Sequence, residues 1–446
     1  MVSVSKKTWS SLPGKTGLPF VGDTFKLLND PIDWADNRLK SYGDVSKCVV
    51  FGQRAMLMVG PEANQFVLKD SNQIFSSVLA YEPFLKDLFP GTLGVKDFED
   101  HARHRRILQS AFHKSSLVGY VDLLNELTAS QVSSLPVASA FKSFVYVKDL
   151  LLEQAALLFL GQTLDEEARR LGKLFLNLVS ASTAVLRIPG SWTTYGRGLK
   201  AKEELWSFLL KELPNRRASS ERDLFSHVAR AESEEGERLS DDEVVGHMLG
   251  FLSAAHDTNA SAITSLLYAL GKYPDLQESV RAELQAVGPD APNFETLKDL
   301  ALTGDFYREV LRVWGPSTLM PRGTLKEFEY QGYVIPKGTM VYLAPAATHR
   351  MEERWRDPHI FDPSRFAKPR EEHKAHRFLF MPYGGGPHGC LGMVLADMQA
   401  KVFCWHLLTR YRVELAYPER AYELEFMPMP MPRDKLPIRL TKLGTS

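Results

Sequence analysis

Cys390 lies in Tyr383-Gly384-Gly385-Gly386-Pro387-His388-Gly389-Cys390-Leu391-Gly392, a glycine-rich loop that runs into an apolar helical pattern. Glycines carry no Cβ and tolerate positive φ, so backbone here can approach a large flat group. A helix starting behind the cysteine aims its N-terminal amides at the sulfur and favours thiolate over thiol. Such a thiolate is a candidate ligand for haem iron, where it donates electron density and favours O–O cleavage. On the loop alone, two blander readings stay open. A buried cysteine can be a small hydrophobe, and a glycine loop ahead of a helix can be a turn or a phosphate cradle.

Other residues suit related chemistry. Ala254-Ala255-His256-Asp257-Thr258 sets an acid beside an alcohol. Dioxygen activation uses such a pair: a hydroxyl to hold oxygen and an ordered water, and a carboxylate to relay protons from solvent. An Asp-Thr pair on a helix can equally hydrogen-bond locally. His256 has no second ligand at i±3 or i±4 apart from polar Asn259, so it is not read as a metal ligand. Glu309 and Arg312 form an i,i+3 pair of opposite charge, a weak signal by itself. His101-Ala102-Arg103-His104-Arg105 puts His101 and Arg105 on one helix face at i,i+4. That cluster suits a buried anion, or a solvated basic face that docks an acidic redox partner.

The elements that position these residues are mostly helical. Apolar periodicity predicts helices over 62–69, 99–112, 118–132, 145–159, 165–182, 198–211 and 221–232. A longer helix starts at Ser240, which forms a capping box with Glu243, and runs to about Lys272 before Pro274. At 1.5 Å per residue it spans roughly 45–50 Å, and its apolar character sends it through the middle of the fold. Val49-Val50-Phe51-Gly52 and Ala55-Met56-Leu57-Met58-Val59 read as a hairpin around a Gln-Arg turn. After Trp314 short β-type runs such as Val341-Tyr342-Leu343 alternate with Pro and Gly. The expected fold is mainly α with a smaller β region, from about 40–60 and 315–345 plus C-terminal strands, as one domain over 1–446.

The 446 residues, 44% hydrophobic and 24% charged, suit a large globular core. A formal net charge of +0 gives no global field for nucleic acid. Cys48, Cys390 and Cys404 are too scattered for a disulfide framework or a Cys-x-x-Cys zinc site, which fits a reducing, cytoplasmic setting. The N-terminus, Met1 to Trp9, lacks a signal-peptide core. No run of roughly 18 apolar residues marks a membrane span.

The cysteine loop resembles the cytochrome P-450 haem-thiolate signature, Phe-Gly-x-Gly-x-His/Arg-x-Cys-x-Gly, with Tyr383 in place of phenylalanine. The segment 254–258 is similar to the family's Ala/Gly-Gly-x-Asp/Glu-Thr motif, with Ala255 in place of glycine. Glu309-x-x-Arg312 and Pro363-Ser364-Arg365-Phe366 resemble the family's Glu-x-x-Arg and Pro-x-Arg-Phe segments; Ser364 and Gly315 depart from it without touching the charged residues. The resemblance implies a cytochrome P-450 fold, with haem b (iron protoporphyrin IX) between the long helix and the Cys390 loop. It implies Cys390 as iron ligand, Asp257 and Thr258 as the proton and oxygen residues, and a buried triad of Glu309, Arg312 and Arg365. His101, Arg105, Arg322 and His388 fall where the family holds haem propionates.

The closest look is to the branch of cyanobacterial and animal retinoic-acid hydroxylases and plant steroid oxidases. It is carried by Pro13-Gly14 through Gly17-Leu18-Pro19-Phe20-Val21-Gly22, the His101 helix and the tail Pro428 to Lys435. Tyr81, Phe84 and Phe89 fall in the family's substrate loop. With Ala254, Leu319, Met320 and Met429 they are expected to line a pocket for an apolar isoprenoid substrate, a terpenoid, retinoid or steroid. The expected activity is monooxygenation with O2, electrons coming from a ferredoxin or flavodoxin with its reductase, in a monomer without a membrane span. Two other readings are a peroxide-driven or isomerising haem-thiolate enzyme and a non-catalytic haem sensor or carrier. Retention of Asp257 and Thr258 argues against both.

Overall fold

The structure, a computed structural model, describes residues 7–161, 166–184, 186–427 and 429–444. Met1 to Lys6, Asp165 at the start of one expected helix and Pro428 of the tail lie outside the described residues. Helices dominate, and the strands form a five-stranded sheet and three smaller ones. Among the described residues no helix is long and apolar enough to cross a membrane.

The five-stranded sheet gathers distant segments in the order Val45–Val50, Gln53–Met58, Met340–Leu343, Met320–Thr324 and Phe75–Ser76. The hairpin turns at Phe51 and Gly52, with φ of 51° and 70°, two residues before the expected Gln-Arg turn. Two successive positive φ values match the right-handed strand twist, and Gln53 and Arg54 instead pair with Val50 and Val49. The run Ala55-Met56-Leu57-Met58 is buried throughout, which a sheet covered on both faces requires. Its alternation is visible in the packing. Ala55 and Leu57 belong to the cluster of Trp34 and Ala35 on one face, while Met56 and Met58 belong to that of Phe75 and Phe378 on the other.

The long helix runs over Asp241–Lys272. Ser240 Oγ accepts from the Glu243 N–H at 3.3 Å, and Glu243 Oε2 accepts from the Ser240 N–H at 2.8 Å. These bonds satisfy donors that a helix start leaves orphaned. Val244–Leu249 and Ala260–Leu267 are buried, whereas the stretch between them is opened, with Ala254 exposed. A central helix that is opened between two buried halves borders an internal cavity there. A Cβ on Gly250 would lie 1.9 Å from Thr92 Oγ1, so the segment before the His101 helix packs directly on this opening.

The helix Ala301–Trp314 carries Glu309 and Arg312 into the core. Glu309 is 0% exposed, Arg312 1% and Arg365 0%. Arg312 donates to both Glu309 oxygens at 2.7 and 2.8 Å, and Arg365 Nε donates to Oε1 at 3.0 Å. Arg365 also reaches Glu372 at 2.8 Å, and the spare guanidinium N–H groups meet the carbonyls of His349, Arg356 and Ile360. The set therefore extends beyond the expected triad by one acid, Glu372, which Arg370 also engages through Nε at 3.0 Å.

His349, beside this network, accepts from the Met381 N–H through Nε2 at 2.9 Å. Burial, then the charges of Arg312 and Arg350, push it down to about 3. Burial, then His104, pushes His247 on the long helix down to about 3. An unfolded chain protonates these rings below roughly pH 6.5, but the fold resists until about pH 3. Their contribution is thus complete above about 6.5 and declines as pH falls toward 3. The urea midpoint of the haem-loaded protein is expected to be lower at pH 5 than at pH 7.5; equal midpoints would contradict this account.

Candidate functional site

A cavity of about 650 Å³ opens against the middle of the long helix. Ala254, Ala255 and Thr258 line one side, and the loop Tyr383 to Gly392, with Cys390, lines another. The loop conformation follows from its glycines at one point above all. Gly386 has φ of 64°, and a Cβ there would lie 2.2 Å from the Leu68 carbonyl oxygen. The Cys390 N–H donates to the Tyr383 carbonyl at 2.9 Å and closes the loop. The helix Met393–Leu408 follows.

Cys390 is the cysteine that faces this cavity; Cys48 and Cys404 are buried elsewhere. Burial pushes its thiol up, and the Gly392 N–H and the Arg105 charge offset this only in part. The expected dipole effect thus reduces to one amide, because the helix itself begins three residues later. A cation bound at the sulfur reverses the balance, since a coordinating thiol is deprotonated. The Tyr383 hydroxyl is buried beside that of Tyr307, and burial followed by this neighbour raises its pKa.

Four basic side chains converge on the same cavity. His101 and Arg105 come from the helix Phe98–Gln109, Arg322 from the strand Met320–Thr324 and His388 from the cysteine loop. The His101 and His388 ring centroids are 3.8 Å apart, and Arg105 donates to the Gly389 carbonyl at 2.6 Å. Burial first, then Arg105, pushes His101 down to about 4. Burial, then His101, pushes His388 down to about 3. With no anion beside them, burial and the neighbouring guanidiniums hold both imidazoles neutral; an anion between the four side chains would relieve the repulsion and favour their charged forms. A dianionic macrocycle with its metal facing a thiol satisfies this donor set, so the residues present fit a haem.

The rest of the 101–106 cluster turns elsewhere. Arg103 pairs with Glu243 at 2.9 Å and with Glu237, and His104 sits 3.2 Å from Asp100. Arg106 is exposed with Glu99 3.5 Å away. These acids neutralise the face that the alternative reading offered to an acidic partner.

Thr258 donates its hydroxyl to the Ala254 carbonyl at 2.6 Å, which leaves its oxygen lone pairs on the cavity side. The long helix continues without interruption through Ala255, in keeping with an alanine where the motif has glycine. Asp257 is off the cavity wall. Lys148, on the helix Ser143–Leu160, places Nζ 3.0 Å from Asp257 Oδ1. Burial raises the Asp257 pKa, but the His256 hydrogen bond and Lys148 outweigh it, and the carboxyl is held below its usual range.

Of the expected substrate residues, Tyr81, Ala254, Leu319, Met320 and Met429 line the cavity. Phe84 and Phe89 do not. Phe84 sits on the outer face of the helix Val78–Leu85, 46% exposed, with Arg187 over its ring and Phe51 beside it. Phe89 is 2% exposed and packs into the main core.

Sequence reasoning missed an amide chain. Asn259 donates to Gln399 at 2.8 Å, Gln399 to Gln154 at 2.9 Å, and Gln154 to Thr128 at 3.0 Å. Asn259 and Gln399 both line the cavity, so the chain ties the Thr258 helix to the helix behind Cys390. Its signal was present: Gln399 is an uncharged polar residue on a mostly apolar helical segment, Leu395 to Leu408.

Comparison with known proteins agrees with this geometry. The cytochrome P450 family model matches residues 12–436. A cytochrome P450 136 of Mycobacterium tuberculosis is 35% identical over 96% of this chain and 88% of its own length. Abscisic acid 8'-hydroxylase 2 of Arabidopsis thaliana is 28% identical, covering 97% of this chain and 90% of its own. The solved structure of a retinoic acid-bound cyanobacterial CYP120A1 superposes with a TM-score of 0.86 at 28% identity, over 98% of this chain and 100% of that one. A cysteine loop, an acid–alcohol helix and a set of basic residues on one cavity, inside a fold shared along nearly the whole chain, thus make this protein a member of the cytochrome P450 family, an oxidoreductase of the haem-thiolate monooxygenase type.

Proposed function

We propose that the chain binds haem b and hydroxylates an apolar isoprenoid substrate, with electrons from a ferredoxin or flavodoxin and its reductase. The observation that carries this reading is the convergence of Cys390, Thr258 and four basic side chains on one cavity. Cys390 would hold the iron, and His101, Arg105, Arg322 and His388 the propionates. When bound, the haem supplies dioxygen binding and O–O cleavage, which thiolate ligation favours.

The chain's own part is to orient substrate and deliver protons. Thr258 parks its hydrogen on the Ala254 carbonyl and accepts through its remaining lone pairs. Asp257 takes protons at Oδ1 from the Lys148 side, which is 31% exposed, and passes them toward Thr258. Leu319, Met320, Phe112 and Met429 present an apolar wall, and methionines adapt to irregular apolar shapes. Among the described lining residues the charged or basic ones are those assigned to the propionates, which leaves the remaining wall neutral. The relatives support the substrate class: their names point to abscisic acid and retinoic acid, both isoprenoids.

The test is turnover of the haem-loaded protein on retinoids, terpenes, steroids and fatty acids with ferredoxin, reductase and ¹⁸O₂. One labelled oxygen in a terpenoid or retinoid product is expected. Turnover with peroxide alone, and none with reductase and O2, would point to the peroxide-driven reading. Thr258→Ala is expected to keep haem and to divert reducing equivalents to peroxide, with product formation falling about 10²-fold. Normal coupling in that variant would count against the relay.

A further inference from the structure

Among the described residues three methionines line the cavity: Met320, Met427 and Met429. Met320 comes from the strand Met320–Thr324, and its Sδ lies 3.6 Å from where a Cβ on Gly384 would sit, so it borders the cysteine loop. Met427 and Met429 come from the C-terminal segment, which is tied to the long helix on both flanks. Ahead of them the Tyr422 hydroxyl lies 3.2 Å from Ser265 Oγ, and the Tyr422 ring stacks on Tyr268 at 3.9 Å. Behind them the strand Met431–Pro432 packs against the same helix. Ser265 is seven residues past Thr258, roughly 10 Å along the axis. The five and seven residues of chain from Tyr422 to the two methionines, at about 3.3 Å each when extended, are long enough to return over that distance. Both thioethers thus hang from the Thr258 helix, on the side where the bound haem would hand oxygen to substrate.

The third methionine of the alternation is held elsewhere. Met431 Sδ accepts from Lys435 Nζ at 3.5 Å, and its side chain packs on the main core. Met427, by contrast, is 51% exposed, and Met429 is half-buried. A thioether is soft and polarizable, and its sulfur takes up an oxygen atom to give a sulfoxide. With substrate bound, a substrate C–H bond occupies the reacting position. Without substrate, a tip sulfur is more readily oxidised than the C–H groups of the same wall.

We propose that Met427 and Met429 are self-oxidation sites: during turnover without substrate, one of these thioethers receives the oxygen atom that substrate would otherwise take. A sulfur lone pair forms the S–O bond as the O–O bond breaks. One O2, two electrons from the redox partner and two protons give one sulfoxide and one water, the same balance as hydroxylation. The sulfoxide sets a strong dipole in an apolar wall, which penalises an apolar ligand. KM is then expected to rise about tenfold. The change leaves kcat nearly as it was, because the loss falls on binding shared by ground and transition states. Sulfoxide reductases reverse the modification, so the tip is a reversible brake on an enzyme that consumes reductant without substrate. The inference rests on the monooxygenase reading.

The test uses full-length, haem-loaded protein. It is incubated with ferredoxin, reductase and ¹⁸O₂, without substrate and with catalase in the buffer, and then digested with trypsin. One ¹⁸O is expected on Met427 or Met429 in the peptide Ala421 to Arg433, located by fragmentation in the mass spectrometer. Met393 is the internal control. It is 47% exposed, close to the 51% of Met427, but it does not line the cavity. Equal label on Met393 and on the tip would mean a diffusible oxidant and would overturn the proposal. Cys390→Ala should leave the tip unlabelled. Methionine sulfoxide reductase with dithiothreitol is expected to return KM to its starting value; a KM unmoved by labelling would refute the brake. The double variant Met427→Leu, Met429→Leu, compared with itself before and after the same incubation, should hold its KM. A protein that hydroxylates a terpenoid or retinoid yet leaves both methionines unlabelled sinks this proposal alone. One that forms neither product nor sulfoxide from O2 and reductase fails the monooxygenase reading instead.

Discussion

Cys390→Ala is expected to abolish the red-shifted Soret band of the ferrous-CO complex and to reduce product formation to background. The substitution removes one sulfur and leaves the loop its means of holding shape. The Cys390 N–H still bonds the Tyr383 carbonyl, and Arg105 still bonds the Gly389 carbonyl. Loss of the band in a folded protein is thus a statement about ligation. Cys48 and Cys404 are natural controls. Burial pushes both thiols up to about 12, which keeps them protonated and inert, so Cys48→Ser and Cys404→Ala should retain the band. A band that survives Cys390→Ala would refute the ligand assignment.

Glu309→Ala is expected to cost about 3–5 kcal/mol of folding stability. It strips the shared carboxylate from Arg312 and Arg365, both essentially inaccessible to water. Glu372 still reaches Arg365, but the Glu309 contacts of Arg312 are lost. Against a typical total of about 5–15 kcal/mol, such a loss leaves a marginal fold. Glu309→Gln keeps an acceptor and should fall between the two. Urea unfolding of the three proteins reads the order directly; a Glu309→Ala midpoint equal to the natural one would show that the network contributes little. Because Arg312 donates to the His349 carbonyl and His349 in turn accepts from the Met381 N–H just ahead of the cysteine loop, haem retention should fall in parallel with stability.

Much of this organisation was legible from the chain. The capping box at Ser240 and Glu243 marked the start of the long helix, because local hydrogen bonding alone decides that point. The spacing of His101 and Arg105 placed both on one face, and the fold brings both to the cavity. Side-chain direction was harder where tertiary packing decides it. Phe84 and Phe89 share the aromatic character of a pocket wall with Tyr81, yet only Tyr81 faces inward. Arg187 draws Phe84 to the surface, and that contact bridges about a hundred residues of chain. The hairpin turn was misplaced because Phe51 has strand propensity, whereas the fold holds it at a positive φ of 51°. The amide chain from Asn259 to Thr128 depends on partners remote in sequence, which spacing cannot reveal, while Glu372 meets Arg365 across seven residues of chain that no helical spacing marks.

The parallel pairing of Gln53–Met58 with Met340–Leu343 also sets a timetable. A ribosome completes Met58 roughly 285 residues before its cross-strand partner Leu343. At about 5–20 residues per second, the N-terminal hairpin waits roughly 15–60 s with an apolar edge unpaired. Such edges recruit other chains, so the unpaired hairpin is an aggregation hazard for most of the synthesis. The cavity wall at Met320–Thr324 emerges in the same late window and Cys390 after it. Cofactor loading is therefore among the last events in the life of the nascent chain, and chains cut short before about residue 340 should be found in aggregates or bound to chaperones.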